Sequence, residues 1–269
     1  MKHLKFFLKY IRYYLTAQTK HDIHSPFVFD LLTNIIEDKT PFYVYKNIEA
    51  VRSKMLLSTE TIDVLDFGVG SESVDKKRKK KIKTIAKYSA KSEKYCFLLF
   101  RLVNHFQPQT ILELGTSLGI STLYLASPNS KSKIITLEGC SQTAEVAKHN
   151  FEQLKLKNIE QVVGNFDETL KVVLEKYCKL QTANCKLDLV FFDGNHRKAP
   201  TIRYFEQCLN FSNENSVFIF DDIHWSQEME EAWSAIKNHP QVTITIDLFF
   251  LGLVFFRGGI SKQHFTLRF

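Results

Sequence analysis

The chain lacks the cysteine spacing of a zinc ribbon or a disulfide framework. Its five cysteines, Cys96, Cys140, Cys178, Cys185 and Cys208, are scattered and form no C-x-x-C pair. Neither bound zinc nor a stapled secreted fold is expected, and a reducing cytoplasm is the natural setting. No apolar run approaches the roughly 20 residues needed to cross a bilayer. Charges interrupt every apolar stretch of the N-terminal MKHLKFFLKYIRYYL, and no small-residue cleavage site follows, which argues against a secretory signal. Acid is missing from segment 76–83, KKRKKKIK, which holds seven basic residues and by itself accounts for the net charge of +7. Such a patch suits nucleic acid, acidic lipid or an anionic substrate, or is a solvated mobile loop.

What is present begins with core material. A chain of 269 residues, 44% apolar and with 23 Phe, can form one large α/β domain or a core domain with an extension. From Thr110 to Arg257 short apolar runs alternate with helical segments, the pattern of a parallel sheet covered on both faces. The strand runs are Thr110–Leu114, Lys133–Glu138, 160–164, 187–193 and 216–221. Several are apolar almost throughout, as in Leu189-Val190-Phe191-Phe192, which suits strands buried on both sides. Helices are predicted near 118–126, 141–156, 167–179, 201–211 and Gln227–Asn238, the last closed by His239-Pro240. Two β-rich runs, 242–249 and 252–257, leave no room for a helix between them, so they should form an antiparallel hairpin. The expected architecture is five parallel strands with crossover helices, then a hairpin that inserts one reversed strand.

The first ninety residues are less regular. Leu4, Phe7, Leu8, Ile11 and Leu15 fall at helical spacing, with Lys2, Lys5, Lys9 and Arg12 on other faces. That helix docks on its own domain, on a second subunit in a homodimer, or on a membrane surface. Ser25-Pro26 before an apolar run is a fair helix start. Run 61–67 reads as a strand followed by a turn at Gly68 and Gly70. It imitates a glycine-rich ligand loop, but the lysine run follows where a strand with a ribose-binding acid would be required. Phe27, Phe29, Phe42, Tyr43 and Tyr45 suggest an apolar lid.

The chemistry concentrates at the ends of the parallel strands. In TILELGTSLGIS, residues 110–121, a strand carrying Glu113 breaks into Gly115 and Gly119 and re-enters as a helix. That arrangement brings bare N–H groups to a ligand, and the acid favours a cationic one, a sulfonium or amine, over a phosphate. The next strand ends at Glu138, about twenty residues on, where a carboxylate can accept both hydroxyls of a ribose or interact with a helix dipole. In VVGNFDETL, Asn165, Phe166 and Asp167 sit where a third loop meets an adenine. Two further strands end in acid, at Asp193-Gly194-Asn195-His196 and at Asp221-Asp222-Ile223-His224-Trp225. Neighbouring strands lie about 4.8 Å apart, so Asp193, Asp221 and Asp222 can converge, and their repulsion calls for a cation or protons. An all-oxygen set favours Mg²⁺ or another divalent cation over zinc. The alternative for Asp221 or Asp222 is capping the helix at Ser226 or orienting a loop. His196 is placed for a general base or is a surface histidine, and His224 and Trp225 wall the pocket.

From Thr110 onward the sequence resembles a class I S-adenosylmethionine-dependent methyltransferase, most like the O-methyltransferases of the catechol and caffeoyl-CoA type and their bacterial relatives. ELGTSLGIS matches the family's E-[LI]-G-x-x-x-G-[YI]-S loop at every defined position. The resemblance implies a Rossmann-like, seven-stranded, mostly parallel α/β sheet over residues 91–269, with a mainly helical extension over 1–90 that builds substrate recognition. It implies that Glu113, Gly115, Ser117, Gly119 and Ser121 surround the methionine end of S-adenosyl-L-methionine, that Glu138 takes the ribose, and that Asn165 and Phe166 border the adenine. FFDGNHRK resembles the fourth-strand segment, in which Asp193 and His196 carry the reaction, and FDDIHW the fifth. There Asp222 stands where metal-dependent members carry Asn, which puts a metal on Asp193, Asp221 and Asp222 in question. The implied reaction is in-line methylation of a small hydroxylated molecule. RNA or protein methylation guided by segment 76–83 is the alternative, although the Asn/Asp-Pro-Pro-aromatic and Pro-Cys motifs of such enzymes are missing. A non-catalytic interaction protein is the third reading.

Overall fold

Strand and helix alternate from Thr110 because each apolar run is followed by a glycine or polar turn and an amphipathic segment. In the computed structural model of the protein, residues 2–65, 78–179 and 186–269 are described. Helices α1 (Lys2–Thr16), α2 (Pro26–Leu31) and α3 (Tyr43–Leu57) come first, with a π-helical turn at Leu32–Ile36. A ribbon of β1 (Thr61–Val64) and β2 (Arg78–Lys81) leads into α4 (Ile82–Tyr88) and α5 (Glu93–Phe106). The alternation then runs β3 (Thr110–Leu114), α6 (Ile120–Ala126), β4 (Lys133–Glu138), α7 (Ser141–Gln153), β5 (Ile159–Val163), α8 (Phe166–Leu174), β6 (Leu189–Phe192), α9 (Lys198–Leu209), β7 (Val217–Asp221) and α10 (Gln227–Asn238). It closes with β8 (Ile244–Asp247), β9 (Leu251–Phe255) and β10 (Gln263–Thr266).

One 8-stranded sheet has the order β10-β8-β9-β7-β6-β3-β4-β5. Five strands from β7 to β5 are parallel, and β9 inserts antiparallel between β7 and β8 as the hairpin pattern requires. The eighth strand departs from the expected seven. Gln263–Thr266 pairs parallel with β8 at the sheet edge, and its polar sequence carries no apolar run to announce it. Chain reversal between β3 and β6 opens a crevice at the carboxyl ends of the strands, where ligands bind in sheets of this kind.

The period-2 alternation of the strands divides the core. Ile111, Ile134, Phe191 and Ile219 face α2 and α5, packing against Val28, Leu98 and Leu102. Leu112, Val190, Phe192 and Phe220 face the other way, onto Tyr204, Phe205 and Trp233 of α9 and α10. A third cluster ties α3 to the sheet layer through Tyr45, Ile48, Tyr124 and Phe151.

The aromatic N-terminal residues do not form a lid. Phe42 and Tyr45 are packed among Phe97, Phe100 and Tyr124, Phe27 lies edge-on to Phe255, and Phe29 and Tyr43 are exposed. Helix α1 docks on its own chain, with Phe6, Tyr10 and Tyr13 against Phe249, while Leu4, Phe7, Leu8 and Leu15 stay exposed. The basic run is not wholly a loop: Arg78–Lys81 forms β2, antiparallel to β1. Gly68, Gly70, Lys76 and Lys77 lie outside the described residues. Among the described residues no helix is long and apolar enough to cross a membrane.

Candidate functional site

The β3–α6 turn is shaped by two glycines. Gly115 has φ +111°, and a β-carbon there would collide with the backbone carbonyl of Asp193. Only glycine lets the two loops pass this closely. Gly119 (φ +85°) starts α6 directly under Phe151. The N–H groups of Gly115 and Thr116 both donate to Leu137 O, which fastens the turn to the end of β4. Ser117 takes a left-handed φ of 47° and donates its N–H to Glu138 Oε2 at 2.7 Å. Cys140 N–H donates to Glu138 Oε1 at 2.9 Å. Each carboxylate oxygen thus keeps a lone pair, and Glu138 lines the crevice with Gly115, Ser117, Asn165, Phe166, Asp193 and Asn195. Burial pushes its carboxyl above the usual range, against the pull of those amides.

Glu113 is placed differently from the expectation. It is wholly buried, and its oxygens accept from Ser121 Oγ at 2.6 Å, Thr122 Oγ1 at 2.5 Å and Thr136 Oγ1 at 2.7 Å. It is the penultimate strand residue, so it points between β3 and α6 and pins the turn from behind. Burial raises its carboxyl above the ordinary value, with the three hydroxyls opposing. Ser121 is committed to Glu113 and borders only a narrow recess shared with Lys91 and Asp193.

Across the crevice Asn165 caps α8, accepting from Asp167 N–H at 3.1 Å, and the Phe166 ring meets Tyr204 edge-on at 6.1 Å. Tyr204 O–H donates to Asp167 Oδ1 at 2.7 Å, so its oxygen accepts from Asn195 Nδ2 at 3.3 Å. That sequence of bonds fixes the Asn195 amide orientation. Among the described residues Asn195 Oδ1 is buried with no hydrogen-bond partner, an acceptor open to a ligand's donor.

The acidic strand ends converge as expected, on one side of the sheet. Asp193 Oδ, His196 Nε2 and Asp221 Oδ lie within 4.8 Å of one another, with His196 Nε2 3.7 Å from Asp193 Oδ1. Asp222, at a left-handed φ of 53°, stands outside that group. The group is not vacant of charge, because Lys91, from the turn between α4 and α5, places its ammonium against Asp221 Oδ1 and 4.0 Å from Asp222 Oδ1. Lys91 is 11% exposed. Burial works against its charge, but Asp221, Asp193 and Asp222 outweigh it and hold the ammonium protonated above its ordinary range. Burial raises the Asp193 carboxyl, and the neighbouring Asp221 adds to it. Burial also acts to raise Asp221, but Lys91 and a hydrogen bond from Asp193 leave it lowered. Burial and then Asp221 push Asp222 up to about 6. An ammonium therefore already stands among these carboxylates, and the donor set expected for a divalent ion does not fit one as it stands.

Beside this cluster opens a cavity of about 550 Å³ walled by Tyr95, Trp225 and Phe250, with Lys91, Asp193 and His196 on its floor. Trp225 is thus a wall residue as expected. His224 is not: it bonds Glu230 at 2.9 Å and Asp247 at 2.7 Å. Sequence reasoning missed Lys91, Asn195 and Tyr204. Lys91 had no signal, being one lysine in a polar turn, whereas Asn195 lay inside the noted strand end.

Residues 112–223 match a methyltransferase domain family. A catechol O-methyltransferase of Mycobacterium tuberculosis (strain ATCC 25618 / H37Rv) is 28% identical over 137 residues, 50% of this chain and 56% of that protein. One of Niastella koreensis is 29% identical over 119 residues, 44% and 50% of the two chains. The chain spans about half the length of the curated relatives it matches. An O-methyltransferase from Bacillus cereus, solved in complex with SAH, shares the fold at a TM-score of 0.54 and 20% identity, over 85% of this chain and 96% of that one. An O-methyltransferase of tomaymycin synthesis from Streptomyces achromogenes, solved with SAM, aligns at a TM-score of 0.53 and 24% identity, over 63% and 82%. Residues 112–223 are thus similar to a methyltransferase domain, and the surrounding sheet has the fold of solved O-methyltransferases.

Proposed function

We propose that the protein binds S-adenosyl-L-methionine in the crevice beside Glu138 and methylates a hydroxyl of a small molecule held in the neighbouring cavity. The observation that carries this reading is Glu138. Its two oxygens are each fixed by one backbone N–H and aimed into the crevice next to the Gly115 turn. Two ordered acceptors side by side suit a vicinal diol such as a ribose. Asn195 Oδ1, unpartnered among the described residues, and the Phe166 ring suit the amino group and face of an adenine. When bound, this cofactor supplies a methyl on a cationic sulfur, released to an acceptor oxygen as the C–S bond breaks and its electron pair stays on sulfur.

The chain's own residues do the rest. The Gly115 turn and Asp193 stand between crevice and cavity, since both line each of them, so two bound molecules meet there in a fixed orientation. His196 stands at the cavity floor as the group that accepts the acceptor's proton, oriented by Asp193. Trp225, Tyr95 and Phe250 give the meeting point an apolar wall. In this reading residues 91–269 are the methyltransferase unit, and the extension of residues 1–90 completes the acceptor side.

Calorimetry with the purified chain should give micromolar cofactor binding. A panel of hydroxylated aromatics, sugars and lipids incubated with labelled cofactor should then yield at least one O-methylated product. Asp193→Ala should abolish its formation. No binding of the cofactor at millimolar concentration would end the reading.

A further inference from the structure

The position where an acidic methyl-transfer site would hold a divalent ion is taken by a side chain of the protein itself. Lys91 Nζ lies against Asp221, 4.0 Å from Asp222, and lines the same cavity as Asp193 and His196. We infer that Lys91 is the resident cation of the acceptor site, so that the protein works without a divalent metal and fixes a single acceptor oxygen through the Lys91 ammonium. This inference rests on the methyl-transfer reading above.

Three observations carry it. First, an ammonium and a divalent ion cannot share Asp221 without strong repulsion across a few ångströms of partly buried space. Second, an ammonium has three donors and no acceptor. Asp221 takes one, which leaves N–H groups for the cavity that Lys91 lines. Third, the same ammonium stands 4.0 Å from Asp222 Oδ1, so one charge serves both carboxylates at the end of β7. Lys91 is also rigidly placed. It is nearly buried and sits one residue before Ser92, the N-cap of α5, whose Leu98, Leu99 and Leu102 are fully buried beneath the sheet.

The substitution has a consequence for the acceptor. A divalent ion chelates two neighbouring oxygens, whereas an ammonium donates separate hydrogen bonds. The acceptor class that matches this floor is a molecule with one isolated hydroxyl on an apolar body, held between Trp225 and Phe250, and not a chelating vicinal diol.

The test is Mn²⁺ titration of the full chain, with the free ion followed by paramagnetic resonance. The wild type should bind no Mn²⁺ below millimolar concentration. Lys91→Met should gain a site at least about tenfold tighter, and the second change Asp221→Asn should remove it. With an acceptor in hand, EDTA or added Mg²⁺ should leave wild-type turnover within about twofold. Lys91→Met should lower kcat about 10²- to 10³-fold, the usual loss for one charge-stabilising donor, with Lys91→Arg restoring part of it. Tight Mn²⁺ binding by the wild type that Asp221→Asn abolishes would overturn the assignment, as would turnover lost to EDTA and restored by Mg²⁺. A folded Lys91→Met protein that gains no ion would overturn it too. Should Lys91→Met fail to fold, the wild-type titration decides alone. Calorimetry with the cofactor is read separately. Its failure sinks the methyl-transfer reading and leaves the ion result intact.

Discussion

On the β4 side of the crevice the fixed groups come from nearby chain: Ser117 and Glu138 are 21 residues apart. On the β7 side Lys91 reaches Asp221 across 130 residues. The first half is assembled by backbone, through N–H groups, turns and one strand-to-strand register. The second is assembled by side chains whose positions depend on how α4 and α5 dock against the sheet. The difference teaches that the Glu138 side of the crevice is nearly determined once β3 and β4 pair, while the Lys91 side exists only in the complete fold. Damage to the backbone turn should therefore cost the most, loss of a single carboxylate less, and changes at the far rim least.

The largest effect is expected from Gly115→Ala. A β-carbon would strike the Asp193 carbonyl in backbone that has no free direction to move, and φ +111° is strained for any L side chain. The cost should be on the order of 3 kcal/mol in unfolding free energy, with cofactor binding lost from calorimetry. A variant with wild-type denaturant midpoint and wild-type affinity would show that the loops are not pressed together. Glu138→Ala comes next. Losing hydrogen bonds to a charged acceptor costs about 1.5–3 kcal/mol, so cofactor affinity should fall about ten- to a hundredfold. Retained affinity would detach Glu138 from the cofactor and break that side of the comparison.

The same contrast explains what the sequence disclosed. The five parallel strands and the reversed one were legible because each is a short apolar run with turn residues at its ends, and Gly115, Glu138, Asp193 and Asp221 fell at those ends. Glu113 was misplaced because motif position says which strand carries a residue but not which face it takes. Alternation along β3 puts it with Ile111, inside. β10 and β2 were missed for a related reason. QHFT and RKKK have no strand pattern of their own, and their pairing is imposed by β8 and β1. Lys91 was invisible because its meaning lies in a contact made by docking. A lysine in a polar turn carries no periodicity, spacing or motif.

The smallest effect expected lies at the rim, where His224 joins the β7–α10 connection to β8 through Asp247 and to α10 through Glu230, which also pairs with Lys9 of α1 at 2.7 Å. Burial works to lower the imidazole, but the two carboxylates outweigh it and raise it above 6.5. The unfolded value stays near 6.5. The folded state thus holds the proton more tightly than the unfolded one, and the stabilisation is complete below about pH 6.5 and lost as pH rises through the folded value. The network is partly open to solvent, so the contribution should be about 1 kcal/mol, equal to roughly 2–4 °C in Tm for a chain of this size. Thermal melts at pH 6 and pH 9 of wild type and His224→Gln should converge at the higher pH and separate by that amount at the lower. Parallel pH profiles would mean that His224 is neutral in the folded protein and adds nothing to the contacts that hold α1, Lys9 with Glu230 and the aromatic packing on Phe249. Cofactor affinity should not change in either case, because nothing in this network reaches Glu138.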